Sequence, residues 1–271
     1  MPRVRVHQHV NPLSPYYRQA PEPVELEKVF ADASRPLLLD VGCARGRFLL
    51  RMAEAQPDWN YLGVEIREPL VTEANRLATE AGLTNVHYIF CNAMLWLDRL
   101  IENIPPDTLQ MVTIQFPDPW FKKKHAKRRM VNAKLVATLV DKLAEEGRIF
   151  IQTDIEPLSV EMFDLFRADK RLLELRDSRN PFPEKTEREK AVEEKVLPVF
   201  RAVFMKDPDY ELNLPLDKRF VGVGLVMMVA SLPAVALVDN QYLKWFCAAC
   251  FFASFIVMTR PEKRSTTSSP S

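Results

Sequence analysis

The chain has 271 residues, 47% of them hydrophobic and 27% charged, a composition that suits one or two globular domains and excludes wholesale disorder, a collagen-like fibre and a disulfide-stapled miniprotein. Lys and Arg number 37 against 36 Asp and Glu, a formal net charge of +1, so any nucleic-acid surface has to be a local patch. A mean hydropathy of −0.15 excludes a polytopic membrane protein, and four scattered cysteines (Cys43, Cys91, Cys247, Cys250) favour a reducing compartment.

Residues 1–35 hold no apolar run of secretory-signal length, so secretion is not expected. Five prolines from Pro2 to Pro23, with Arg3, Arg5 and Arg18 among them, predict an extended arm. From Pro36 the pattern changes. Leu37–Val41 is a short apolar run ending at a glycine, and helical spacing follows through Ala55. The alternation recurs as strand Tyr61–Ile66, helix Pro69–Ala81, strand Val86–Cys91, helix Ala93–Ile101 and strand Leu109–Phe116. Beyond a basic segment the pattern predicts helix Asn132–Leu143, a turn at Gly147, strand Arg148–Thr153 and helix Leu158–Ala168. Two further strands are expected within Leu172–Met205, flanking the polar stretch Asn180–Lys195. Strands alternating with helices imply right-handed βαβ units and a mostly parallel sheet covered on both faces, an α/β domain over residues 36–206. Ligands then belong at the carboxyl ends of the strands.

Residues 207–271 read differently. The segment 220–238 carries no charge and is long enough to cross a bilayer, although Gly222, Gly224 and Pro233 weaken it, and 245–259 is a second apolar run. Basic residues stand at both outer ends, as a membrane hairpin would have them; extra core helices, or a tail foreign to the domain, are the alternatives. The lone Cys247/Cys250 pair has no partner ligands, so no metal site is expected. The chain ends in a low-complexity Ser/Thr tail, Ser265–Ser271.

Several residues at the strand ends carry chemistry. The turn Asp40-Val41-Gly42-Cys43-Ala44-Arg45-Gly46 brings backbone close to a ligand before opening a helix. Glu65 follows about twenty residues later at the end of the second strand, where a carboxylate accepts hydrogen bonds from ribose hydroxyls. Asp40 at the start of the turn repels phosphate and attracts an amino group, which favours S-adenosylmethionine over a dinucleotide. Asn92, ending the third strand, offers an amide to an adenine edge. The fourth strand leads into Phe116-Pro117-Asp118-Pro119-Trp120-Phe121, in which two prolines restrict Asp118. Lys122 to Arg129 then holds six cations in eight residues, suited to several phosphates, and Trp120 and Phe121 offer stacking faces for an unpaired base. Asp154 ends the fifth strand beside the same cleft.

At these residues the sequence resembles the bacterial-type tRNA (guanine-N7-)-methyltransferase family, most closely its cyanobacterial and plastid-like members, over roughly Val6 to Met205. The resemblance rests on Asp118-Pro119-Trp120 with Lys122, Lys123, His125, Arg128 and Arg129, on Thr153-Asp154, and on Thr186-Glu187-Arg188-Glu189. It implies the class I S-adenosylmethionine-dependent methyltransferase fold, a tRNA substrate, no metal, and an intracellular setting in cytoplasm or plastid stroma; the apolar segments outside the resemblance leave membrane anchoring through 220–259 as the alternative. It places cofactor binding on Asp40, Glu65, Asn92 and Asp118, to which the glycine-bearing turn adds Gly42 and Gly46, and catalysis on Asp118. Substrate binding falls on Lys122, Asp154 and Thr186 to Glu189, to which the residues themselves add Trp120, Lys123, Lys124, Arg128 and Arg129. Two departures stand out: Ala44 replaces the usual middle glycine of the cofactor turn, which matters only if that position needs φ > 0, and Asn92 replaces the usual Asp. An RNA-binding homologue with impaired catalysis, and a class I methyltransferase acting on another substrate, are the competing readings. The resemblance leaves oligomeric state open.

Overall fold

The structure, a computed structural model, describes residues 10–210. A single 3-10 turn, Pro15–Arg18, and a one-turn helix α1 (Leu26–Val29) precede the first strand. The elements then alternate: β1 (Leu37–Val41), α2 (Arg47–Ala55), β2 (Asn60–Glu65), α3 (Glu68–Glu80), β3 (Val86–Phe90), α4 (Ala93–Leu100), β4 (Leu109–Gln115), α5 (Ala133–Lys142), β5 (Leu143–Thr153) and α6 (Glu156–Arg167). The chain continues through β6 (Leu172–Glu174), α7 (Glu187–Glu194) and β7 (Phe200–Lys206).

The seven strands form one sheet in the order β3-β2-β1-β4-β5-β7-β6. The first five run parallel, and β7 runs antiparallel to both β5 and β6. This is the doubly wound class I methyltransferase arrangement, with the strand order reversing on either side of β1. A crevice opens outside the carboxyl ends at such a reversal. β1 and β2 are buried along their whole length because both faces are covered. Leu37, Leu39 and Val41 pack on one side of the sheet with apolar residues of α4, α5 and α6, while Leu38 packs on the other with Phe48, Leu49 and Met52 of α2 and Val71 and Ala74 of α3. The strand period of two thus feeds two apolar layers from one continuous run.

The predicted elements correspond to β1–β5 and α2–α6 within one or two residues at most ends. The turn expected at Gly147 lies inside β5: Leu143 pairs with Leu109, the next pair is Arg148 with Met111, and Ala144–Gly147 bulges out of the ladder between them. Within residues 10–35 two short helical turns interrupt the segment, and Val24, Leu26 and Phe30 are buried in the core. Cys43 and Cys91 are buried free thiols. The apolar segments 220–238 and 245–259 lie outside the described residues. Among the described residues no helix is long and apolar enough to cross a membrane.

Candidate active site

The turn after β1 is built from left-handed backbone. Gly42 has φ 88, Ala44 φ 51 and Gly46 φ 69. The N–H groups of Gly42 and Cys43 both donate to the Val64 carbonyl, at 2.8 and 3.1 Å, which ties the turn to β2. A Cβ on Gly46 would sit 2.4 Å from Cε1 of Tyr88, whose hydroxyl donates to the Gly46 carbonyl at 2.7 Å. Position 46 therefore needs glycine both for its φ and for its neighbour.

Asp40 is buried beneath this turn, and the Thr113 hydroxyl of β4 donates to its Oδ1 at 2.6 Å. Burial pushes the carboxyl up and the nearby Glu65 adds to that, while hydrogen bonds from Thr113 and Gln115 hold it down; the result is about 6. Thr113 carries no motif of its own. A polar residue between the apolar Val112 and Ile114 in mid-strand is the signal in the sequence that could have found it.

Glu65, also buried, accepts from the backbone N–H of Ala44 at 2.9 Å and of Arg67 at 3.0 Å. The Arg67 guanidinium grips the same carboxylate with Nε at 2.8 Å and Nη2 at 3.1 Å. The charge of Asp118 adds to that of Glu65 in holding Arg67 protonated. Nothing in the sequence marks Arg67 apart from its position two residues after Glu65. The third strand-end residue, Asn92, is buried, and its Nδ2 donates to the carbonyls of Pro12 at 2.8 Å and Tyr17 at 3.2 Å.

Asp118 is exposed, in a turn bounded by two aromatic residues with positive φ, Phe116 at 50° and Trp120 at 43°. Bulky residues seldom adopt that backbone, and such strain persists where the surroundings over-determine it. Here Arg129 is a large part of those surroundings: its Nε donates to the Pro119 carbonyl at 3.0 Å and its Nη2 to that of Trp120 at 3.4 Å, while Nη1 pairs with Glu161. Arg128 lies over the Trp120 ring, 5.0 Å from its centroid, and His125 meets the same ring edge-on. Two of the six clustered cations therefore brace the Asp118 turn, whereas Lys122, Lys124 and Lys127 face solvent. Phe121 is 72% exposed.

The Thr186–Glu189 segment meets the end of β5. Thr186 caps α7 by accepting from the Glu189 N–H at 3.1 Å, and Arg188 pairs with Asp154. The Glu189 carboxylate is fully buried, held by Arg201 at 2.8 Å, by Gln152 at 3.0 Å and by Asn180 at 3.0 Å. The segment thus joins the start of α7 to the end of β5 through the Arg188–Asp154 pair and the buried Glu189 carboxylate.

Taken together, Asp40, Glu65, Asn92 and Asp118 stand at or just beyond the carboxyl ends of four adjacent strands, β1 to β4. Two buried carboxylates and an amide around a turn of open backbone suit an adenosyl amino acid, with hydroxyl and amino groups to satisfy, better than a diphosphate. The protein family model described as "Putative methyltransferase" matches residues 34–202. The tRNA (guanine-N(7)-)-methyltransferase of Synechococcus elongatus is 52% identical over 211 residues, covering 77% of this chain and 99% of its own. Its counterpart in Trichormus variabilis is 50% identical over 208 residues, covering 75% of this chain and 97% of its own. This chain belongs to that methyltransferase family. Among solved structures, the aminoglycoside resistance methyltransferase NpmB1 is similar with a TM-score of 0.44 and 15% identity, over 64% of this chain and 88% of that one.

Proposed function

We propose that this methyltransferase family member transfers the methyl group of S-adenosylmethionine to N7 of a guanine in tRNA, inside the cell, in cytoplasm or plastid stroma. The observation that supports the reading is the braced and strained turn that carries Asp118, which follows β4 and leads directly into the solvent-facing lysines Lys122, Lys124 and Lys127. The relatives named above act on tRNA by their names, and the strand-end residues suit the cofactor.

When bound, S-adenosylmethionine supplies an electrophilic methyl group on a sulfonium. Asp40 attracts its amino group, Glu65 accepts from the ribose hydroxyls and Asn92 from the adenine amine. Guanine N7 carries no proton and already has an in-plane lone pair, so the chain need not supply a general base. Its task is positioning and charge. Asp118 accepts hydrogen bonds from the Watson–Crick edge of the guanine, turning N7 toward the methyl group and offsetting the positive charge that grows on the ring. Asp154 assists from the neighbouring strand end, and the Lys122–Lys124 patch holds the flanking phosphates.

The direct test incubates labelled S-adenosylmethionine with unmodified tRNA and analyses the nucleosides. Label in 7-methylguanosine is expected. Label in another nucleoside, or cofactor binding without transfer, would replace the reading with a different substrate or an impaired homologue.

A further inference from the structure

The Asn92 amide does more than end a strand. Its one nitrogen donates to two carbonyls of a segment some eighty residues earlier, Pro12 and Tyr17. A carboxylate, the residue that the family usually has here, has no donor to offer. The segment it holds is compact: Ser14 N–H bonds the Asn11 carbonyl at 3.0 Å, Tyr17 N–H bonds that of Ser14 at 3.0 Å, and Arg18 Nε reaches the Leu13 carbonyl at 3.2 Å. Pro12 is buried. The rings of Tyr16 and Tyr17 lie 6.2 and 6.3 Å from that of Phe90, the last residue of β3, and the Tyr16 hydroxyl donates to Glu68 at 2.8 Å. Tyr17 lies close enough to feel the charges of Arg67 and Glu65. The segment therefore crosses from the carboxyl end of β3 to that of β2, over the two residues assigned to adenine and ribose.

We propose that Asn11–Arg18 forms the outer wall of the adenosine subsite, and that Asn92 is the positioning residue that fastens it, with its Nδ2 on the wall and its Oδ1 toward the adenine. This rests on the function proposed above. The Asn at position 92 is then a gain of a clamp and not a weakened cofactor contact. Bound nucleoside and fastened wall stabilise one another, because a ligand touching the closed arrangement shifts the population toward it.

Asn92→Asp keeps an acceptor for the adenine and removes both donors, so it separates the two roles. The readouts are the affinity for S-adenosylhomocysteine, by calorimetry, and the rate of tryptic cleavage at Arg18–Gln19, which requires the segment to open. In the unaltered protein S-adenosylhomocysteine should slow that cleavage roughly fivefold or more. In Asn92→Asp the ligand-free rate should rise, and affinity should fall about tenfold, as expected from losing two neutral hydrogen bonds. Tyr17→Ala, a partly exposed site that leaves the core untouched, should weaken the same affinity if Asn92→Asp does not fold. Cleavage indifferent to bound S-adenosylhomocysteine, or affinity unchanged in Asn92→Asp and Tyr17→Ala, overturns the wall. No binding of S-adenosylhomocysteine to the unaltered protein overturns the proposed function, and the wall with it.

Discussion

Ala44 donates its backbone N–H to Glu65 Oε2 at 2.9 Å, and it does so from a left-handed conformation at φ 51. The middle residue of the turn after β1 is thus aimed at Glu65, the carboxylate proposed to take the ribose, and the geometry that aims it is one that alanine adopts only with strain. Left-handed backbone costs an L residue about 1–2 kcal/mol, and glycine loses up to about 1 kcal/mol through its freer unfolded chain. Ala44→Gly should therefore be neutral or stabilising by up to about 1 kcal/mol in urea unfolding, with cofactor affinity retained. A clear loss of stability would mean that the turn is not held in this conformation in solution.

Asp40 ionises at about 6 when folded and near its ordinary 3.8 when unfolded. The folded state thus takes up a proton between those values, so stability falls as pH rises through that window and stays lower above it. The shift corresponds to a penalty on the order of 3 kcal/mol. Asp40→Asn should stabilise the ligand-free protein at pH 8 by on the order of 1–3 kcal/mol, with the gain shrinking to nothing near pH 4. The same variant should lose S-adenosylhomocysteine affinity, and the unaltered protein should bind that ligand more weakly as pH drops below about 6. Equal stability of the two proteins at pH 8 would contradict the buried charge.

Asp118→Ala should abolish methyl transfer while tRNA retention on a filter stays nearly intact. Replacing Lys122, Lys123 and Lys124 with Ala should do the reverse: binding weakens for every tRNA, and the salt slope of log K falls by about 0.7–0.9 for each phosphate that the variant no longer neutralises. Full turnover by Asp118→Ala would remove it from the reaction, and an unaltered salt slope in the triple variant would move the docking surface elsewhere.

Trp120 and Phe121 should separate cleanly. The Trp120 ring is occupied by Arg128 and His125, whereas Phe121 stands 72% exposed beside the lysines. Phe121→Ala should weaken tRNA binding roughly tenfold, within the range for one base stacked on an aromatic ring, with the melting temperature unchanged. Trp120→Ala should lower the melting temperature. The opposite pattern would return base stacking to Trp120.

Glu189→Gln tests a side chain whose carboxylate is wholly inside. Arg201 would lose its closest charge partner and keep the hydrogen bond to Gln152 at 3.1 Å and the contact to Glu193 at 3.3 Å, so a loss of about 2 kcal/mol is expected, less than for a fully enclosed pair because Arg201 is partly exposed. The folded fraction should still bind tRNA with native affinity. Native stability with weakened tRNA binding would instead put Glu189 on the substrate.

The alternation of β1 to β5 with α2 to α6 is legible in the sequence because each strand is a short apolar run and each helix has an apolar face at helical spacing. Helix α7 is not, since among its eight residues only Glu189 and Val192 are buried, and a buried charge leaves no apolar period to read. The one-turn helix α1 is too short to show a period at all. At the site, Asp40, Glu65, Asn92 and Asp118 can be found because each ends or follows a strand, and strand ends can be read along the chain. Thr113 shows only as a polar residue in mid-strand and Arg67 only as a near neighbour of Glu65; that Thr113 meets Asp40 and Tyr17 meets Asn92 is not legible, because sheet order and chain crossing bring those pairs together.

The sequence by itself determined the doubly wound fold, the family and the strand-end residues, since these depend on local periodicity and on residue type at short spacing. Only the tertiary structure decided how those residues are committed. It turned Arg128 and Arg129 inward to brace the Asp118 turn, put Ala44 in a left-handed conformation, buried Glu189 against Arg201, and gave both amide hydrogens of Asn92 to the N-terminal segment. The physical reason is that hydrogen-bonding capacity belongs to a side chain, but the partner that uses it is set by whichever backbone the fold carries within about 3 Å.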